Sequence, residues 1–146
     1  MMEHKNRFLF SIFKYTFIQL AGFTIYYIIG SVLPSIYPSP VYVPLVIFML
    51  ICFPTIGFVL LGYHLNRKND TPVTYGQFVK LGVIVAFLTS VIFLLTSSFF
   101  RQFIDVIPWE SYISDIKKRG VYTVVGLTFI MTIECLIVAA FRKKLK

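Results

Sequence analysis

Four uninterrupted apolar runs, each longer than 20 residues, constrain this chain more than any other feature. They cover about residues 8–33, 41–63, 78–100 and 121–141. A helix crossing ~30 Å of hydrocarbon needs roughly 20 mostly apolar residues, and each run meets that length. A β-barrel would instead show ~10-residue segments of alternating polarity. Helices also satisfy their backbone polar groups internally, as lipid demands. The expected fold is an all-α integral membrane protein, a single four-helix transmembrane domain over residues 1–146. Composition agrees. Hydrophobic residues make up 58% of the chain, against about 45–50% in soluble domains. Charged residues make up 14%, against about 25%. That is too few to coat a soluble particle, so soluble, disordered and secreted disulfide-rich classes are excluded.

The first run is too long for the 7–15-residue apolar core of a signal peptide, and no small-x-small cleavage site follows it. It reads as a retained span. Basic residues orient the chain. Ten of them flank one side: Lys5, Arg7, Lys14, Arg67, Lys68, Lys80, Arg142, Lys143, Lys144 and Lys146. Four flank the other: Arg101, Lys117, Lys118 and Arg119. The positive-inside rule therefore expects both termini in the cytoplasm. The net charge of +8 serves topology and contact with anionic lipid, notably through Arg142, Lys143, Lys144 and Lys146. Nucleic acid is not an expected partner.

The connections differ in character. PSIYPSP carries Pro34, Pro38 and Pro40 and reads as a short stiff loop. HLNRKNDTPVTYGQ is polar, with turn chemistry at Asn69-Asp70 and Thr71-Pro72. Between the third and fourth runs, Trp109, Tyr112, Ile113 and Ile116 recur at helical spacing. Glu110 opens this stretch and Lys117, Lys118 and Arg119 close it, matching a helix dipole. Gly120 is a candidate stop. The pattern predicts a separate interfacial amphipathic helix over about 108–119. Trp109 and Tyr112 are its anchors at headgroup level. Pairs Arg101–Asp105 and Asp115–Arg119 are spaced to meet on its side of the membrane.

One ionisable group lies deep within a span. Glu134, in the fourth, is expensive at that depth, at roughly 2.5–3.5 kcal/mol on insertion scales. It should face the bundle interior as a proton carrier, a cation ligand or an interhelical hydrogen-bonding group. Depth arithmetic at ~1.5 Å per residue puts Gln19, Thr24, Thr55 and Thr89 near its level. Pro54, beside Thr55, frees a backbone carbonyl. These residues form a candidate polar locus, while the ordinary alternative is Thr hydroxyls bonding their own helices. A Lys14–Glu134 pair needs a long reach, and Lys14 is expected to snorkel to the surface.

Cys52 and Cys135 read as small buried hydrophobes. His4 and His64 lack supporting ligands for a metal site. No phosphate loop, nucleophile elbow or paired-acid motif occurs, so neither enzymatic activity, a cofactor nor a metal is expected. Gly22, Gly57, Gly62, Gly82 and Gly126 are candidates for close helix approach.

Residues 57–93, GFVLLGYHLNRKNDTPVTYGQFVKLGVIVAFLTSVIF, resemble the middle of a bacterial family of four-span membrane proteins that is catalogued as a domain of unknown function. The resemblance rests on a short basic turn followed by Thr74, Tyr75, Gly76, Gln77 and Phe78. It implies a multi-pass protein of the bacterial inner membrane and carries over no functional residue. The first functional expectation is a non-enzymatic subunit of a membrane complex, packed with other membrane proteins or with its own copies. The alternative is a small homo-oligomeric channel or carrier for protons or cations built on Glu134.

Overall fold

In a computed structural model of the chain, residues 2–68, 73–104 and 108–141 are described. They form four helices: α1 (Met2–Ile36), α2 (Ser39–Lys68), α3 (Tyr75–Ile104) and α4 (Ser111–Phe141). Each is long and apolar enough to cross a membrane. Among the described residues there is no strand. The protein is thus a multi-pass helical bundle, as its apolar runs require.

Each helix packs chiefly on two others: α1 on α2 and α3, and α4 on α2 and α3. Around the bundle the order is therefore α1, α2, α4, α3. Consecutive helices α2 and α3 are diagonal partners, as are α1 and α4. The deepest core comes from Phe23 of α1, Phe58 and Leu61 of α2, Phe78, Leu81 and Val85 of α3, and Met131 and Cys135 of α4. In lipid, helix association draws on close packing rather than on expulsion of water, so small residues at crossings matter. A Cβ on Gly82 would lie 3.2 Å from Cβ of Cys135 and 3.4 Å from the Phe58 ring, with Cys135 Sγ closer still. The absence of a Gly82 side chain lets α3, α4 and α2 meet. A Cβ on Gly22 would lie 3.3 Å from Cβ of Phe53, where α1 crosses α2.

Helix ends depart from the sequence expectations in two places. The proline-rich loop shrinks to Tyr37 and Pro38. Pro34 sits inside the last turn of α1, and Tyr37 N–H still donates to Leu33 O (2.9 Å). Pro40 sits in the first turn of α2, where its missing N–H costs nothing. Secondly, the separate amphipathic helix over 108–119 is not formed. Residues from Ser111 onward are the first turns of α4 itself. Gly120 does not stop the helix, because a mid-helix glycine costs only ~1 kcal/mol against alanine and α3 packs beside it: a Cβ there would meet Leu94 at 3.6 Å. Pro108 closes a turn ahead of α4, accepting from Ser111 N–H (3.0 Å) and Ser111 O–H (2.6 Å).

The start of α3 gives a physical reason for the Thr74–Phe78 motif. Thr74 Oγ1 accepts from Gln77 N–H (3.3 Å), and Gln77 Oε1 accepts from Thr74 N–H (3.1 Å). This is a reciprocal capping box at the start of α3. Val73 and Phe78 occupy the flanking apolar positions that fix the entry angle of a helix, and Phe78 is fully buried.

Candidate functional site

The interior is not uniformly apolar. Glu134 is 7% exposed, Gln19 2%, Thr16 4% and Thr89 0%. Met131, Cys135, Val138 and Ala139 flank Glu134 on the buried face of α4. Both carboxylate oxygens of Glu134 lack a hydrogen-bond partner among the described residues. The same holds for Gln19 Oε1, Thr16 Oγ1 and Thr89 Oγ1. Buried polar groups are satisfied as a strong rule, so five such atoms on four side chains call for an explanation.

Contacts between the helices fix their levels. Gln19 Nε2 donates to Pro54 O (3.0 Å) across α1 and α2. This is the carbonyl of Pro54 itself and not the one, four residues earlier, that a proline inside α2 frees. The Gln19 amide lies over Gly57, where a Cβ would sit 2.7 Å from its Cδ. Next in chain, Phe58 reaches Gly82, and Gly82 lies under Cys135, the neighbour of Glu134. Gln19 and Glu134 therefore share one layer. Thr16 lies three residues from Gln19 on the same face of α1, one turn nearer the terminal end. Thr89 is seven residues, or about 10 Å, beyond Gly82 toward the hairpin end. Thr128 O–H donates to Ser90 Oγ (3.2 Å), so Thr89 lies level with Thr128, about 9 Å along the bundle from Glu134.

Other expected members are elsewhere. Thr24 donates to Leu20 O (2.9 Å) and Thr55 to Ile51 O (2.8 Å). Both bond their own helix, the ordinary alternative for a threonine in a span. Lys14 is exposed and lies 5.7 Å over the Tyr15 ring, away from any pairing with Glu134. Of the expected members, Gln19, Thr89 and Glu134 carry buried polar atoms with no hydrogen-bond partner among the described residues, as does Thr16, which the sequence reading did not single out; Thr89 lies outside the layer of Gln19 and Glu134.

A second polar cluster ties α3 to α4 at the hairpin end. Arg101 pairs with Asp115 (3.0 Å), and Arg119 pairs with the other Asp115 oxygen (3.3 Å). Arg119 also reaches Ser97 Oγ and Ser98 Oγ, each at 3.5 Å. Asp115–Arg119 pairs as expected; Asp105, the expected mate of Arg101, lies outside the described residues. Trp109 is 58% exposed and packs on Phe99 (5.6 Å) and Tyr112 (6.1 Å). Tyr112 O–H donates to Leu95 O (3.2 Å). These aromatics border the start of α4, where an interfacial anchor is expected. The basic tail, Arg142, Lys143, Lys144 and Lys146, lies outside the described residues. Cys135 is buried and Cys52 half-buried, neither in a disulfide. Among the described residues no group of three metal-ligating side chains occurs.

Compared with family models, curated proteins and solved structures, the chain matches none.

Proposed function

We propose that this is a non-enzymatic membrane protein that binds and releases a small cation, a proton or a metal ion, at Glu134. The observation that carries this reading is the burial of Glu134 within its own bundle without a hydrogen-bond partner among the described residues. A carboxyl that glued helices together would have its hydrogen bonds made inside the chain. One that paired with another subunit would be exposed on the outer surface. Glu134 does neither, and an intramembrane carboxyl of that kind is a functional group by default. A ring of copies is not needed, because the group faces the interior of a single bundle. The protein works in this way alone or as a subunit beside other membrane proteins. Its setting is the bacterial inner membrane, with both termini cytoplasmic, supported by the ten-to-four distribution of basic residues.

The test is ion movement in proteoliposomes. Wild-type protein should dissipate an imposed proton or monovalent-cation gradient. Glu134→Gln should slow it at least tenfold, with the fold kept. Flux that survives Glu134→Gln unchanged, or wild-type vesicles that leak no faster than empty ones, would overturn the reading.

A further inference from the structure

The charged cluster at the hairpin end is unevenly exposed. Asp115 is shared by two guanidiniums, Arg101 at 3.0 Å and Arg119 at 3.3 Å. Its side chain is the most hidden of the three, 16% exposed against 35% for Arg101 and 27% for Arg119. The cluster therefore turns a positive surface outward, with its acid behind. Arg119 also reaches across the seam between α3 and α4 to Ser97 Oγ and Ser98 Oγ, both buried. Each of these contacts is 3.5 Å, at the weak limit for a hydrogen bond. They orient a guanidinium that has five N–H donors without saturating it. We propose that Arg119 and Arg101, braced by Asp115, bind the phosphate of an anionic phospholipid at this seam. The site is separate from Glu134, which lies about 22 Å further along α4.

Charge and depth together select the ligand. This end of the bundle carries Arg101, Lys117, Lys118 and Arg119 against Asp105, Glu110 and Asp115. One positive charge remains with every acid counted, and the PSIYPSP connection adds none. A phospholipid with one net negative charge closes that balance. The planar fork of an arginine matches phosphate oxygens with two parallel bonds. Ser97 and Ser98 lie about 13 Å along α3 from the middle of its span, Tyr75–Gln102. Half of a ~30 Å hydrocarbon layer is roughly 15 Å. Arg119 thus stands at the inner edge of the headgroups, and its long side chain can extend to them. Tyr112, two turns nearer the surface, closes the same seam by donating to Leu95 O.

The experiment is thermal unfolding of the full chain in mixed micelles containing phosphatidylglycerol, with phosphatidylcholine at equal content as control. A ligand that binds only the folded state raises the midpoint with concentration. Phosphatidylglycerol should raise the wild-type midpoint above its value in phosphatidylcholine. Arg119→Gln should need roughly tenfold more phosphatidylglycerol for the same rise, because its charge-assisted bonds are lost. Arg119→Lys keeps the charge beside Asp115, and with it the fold. It should fall between the two, because a point charge makes no bidentate contact. Lys117 is exposed and stands about 200° around α4 from Asp115, so Lys117→Gln should respond like wild type. The basic tail is the same in every variant. A wild-type midpoint equal in the two lipids would overturn the proposal, as would an Arg119→Gln chain that responds like wild type. A Lys117→Gln loss as large as that of Arg119→Gln would overturn it in favour of diffuse surface charge. A rise of the same size with inorganic phosphate, against sodium chloride at equal ionic strength, would overturn the assignment to lipid.

Discussion

Glu134→Met is expected to stabilise the bundle while abolishing ion movement. Methionine has a similar length and volume and fills irregular space well. It removes two buried acceptor atoms that have no hydrogen-bond partner among the described residues. Leaving such a group buried costs about 2 kcal/mol, so the variant should gain about that much. The gain should be read in sodium-free choline buffer, where no bound cation offsets the cost in the wild type. Chemical unfolding in mixed micelles gives the number. A structural carboxyl predicts the opposite sign, because removing a made hydrogen bond leaves its mate unsatisfied. A loss of stability on Glu134→Met would therefore point to a bonded, structural role. A gain together with lost flux is what a functional group held at the expense of stability produces.

Gly82→Val is expected to have the largest purely structural effect. The Cys135 side chain lies where the first carbon of a new side chain would go, and Phe58 closes the other flank. Neither is the end of a long flexible side chain, and both are fully buried. Overpacking at such a point costs about 3 kcal/mol and should push α3 from α4. Gly126→Val is the matched control. A Cβ there meets nothing within 4 Å, and the change should leave unfolding within ~0.5 kcal/mol. Cys135→Ala removes the sulfur and should recover about half of the loss in a milder Gly82→Ala chain, a coupling that distant sites do not show. If Gly82→Val unfolds like wild type, α3 and α4 do not cross at this glycine.

These two residues also show how far the sequence could be read. The four spans were legible because runs of more than 20 apolar residues have few other solutions. Gly82 was legible as a packing glycine, though not its partner, since contacts between helices are set by azimuth and tilt that hydropathy does not encode. The same blindness explains the polar locus. Depth arithmetic gave a level along each helix and no direction around it. Thr24 stands five residues from Gln19, about 140° around the helix, and so turns to its own backbone. Thr16 stands three residues away, about 60° off, and so shares the buried face. The spacing of Thr16, Gln19 and Phe23 carried that signal.

Element ends failed for a different reason. Gly120 and Pro108 read as boundaries of a small surface helix by local propensity. Tertiary contact outweighed propensity, since the Arg101–Asp115–Arg119 pairing and the Tyr112 hydrogen bond to Leu95 O hold the first turns of α4 along α3. The Thr74–Phe78 motif was visible as a pattern, and its capping-box chemistry became plain only when both hydrogen bonds were seen.

The central claim is that Glu134 is an unpaired carboxyl enclosed by the bundle and exchanging its cation. Its most direct test is labelling with a hydrophobic carbodiimide, which partitions into the apolar phase and adds to a carboxyl there, followed by intact-mass and peptide mass spectrometry. The account predicts an adduct at residue 134 that disappears in Glu134→Gln. A wild-type chain that stays unlabelled at residue 134 would contradict it.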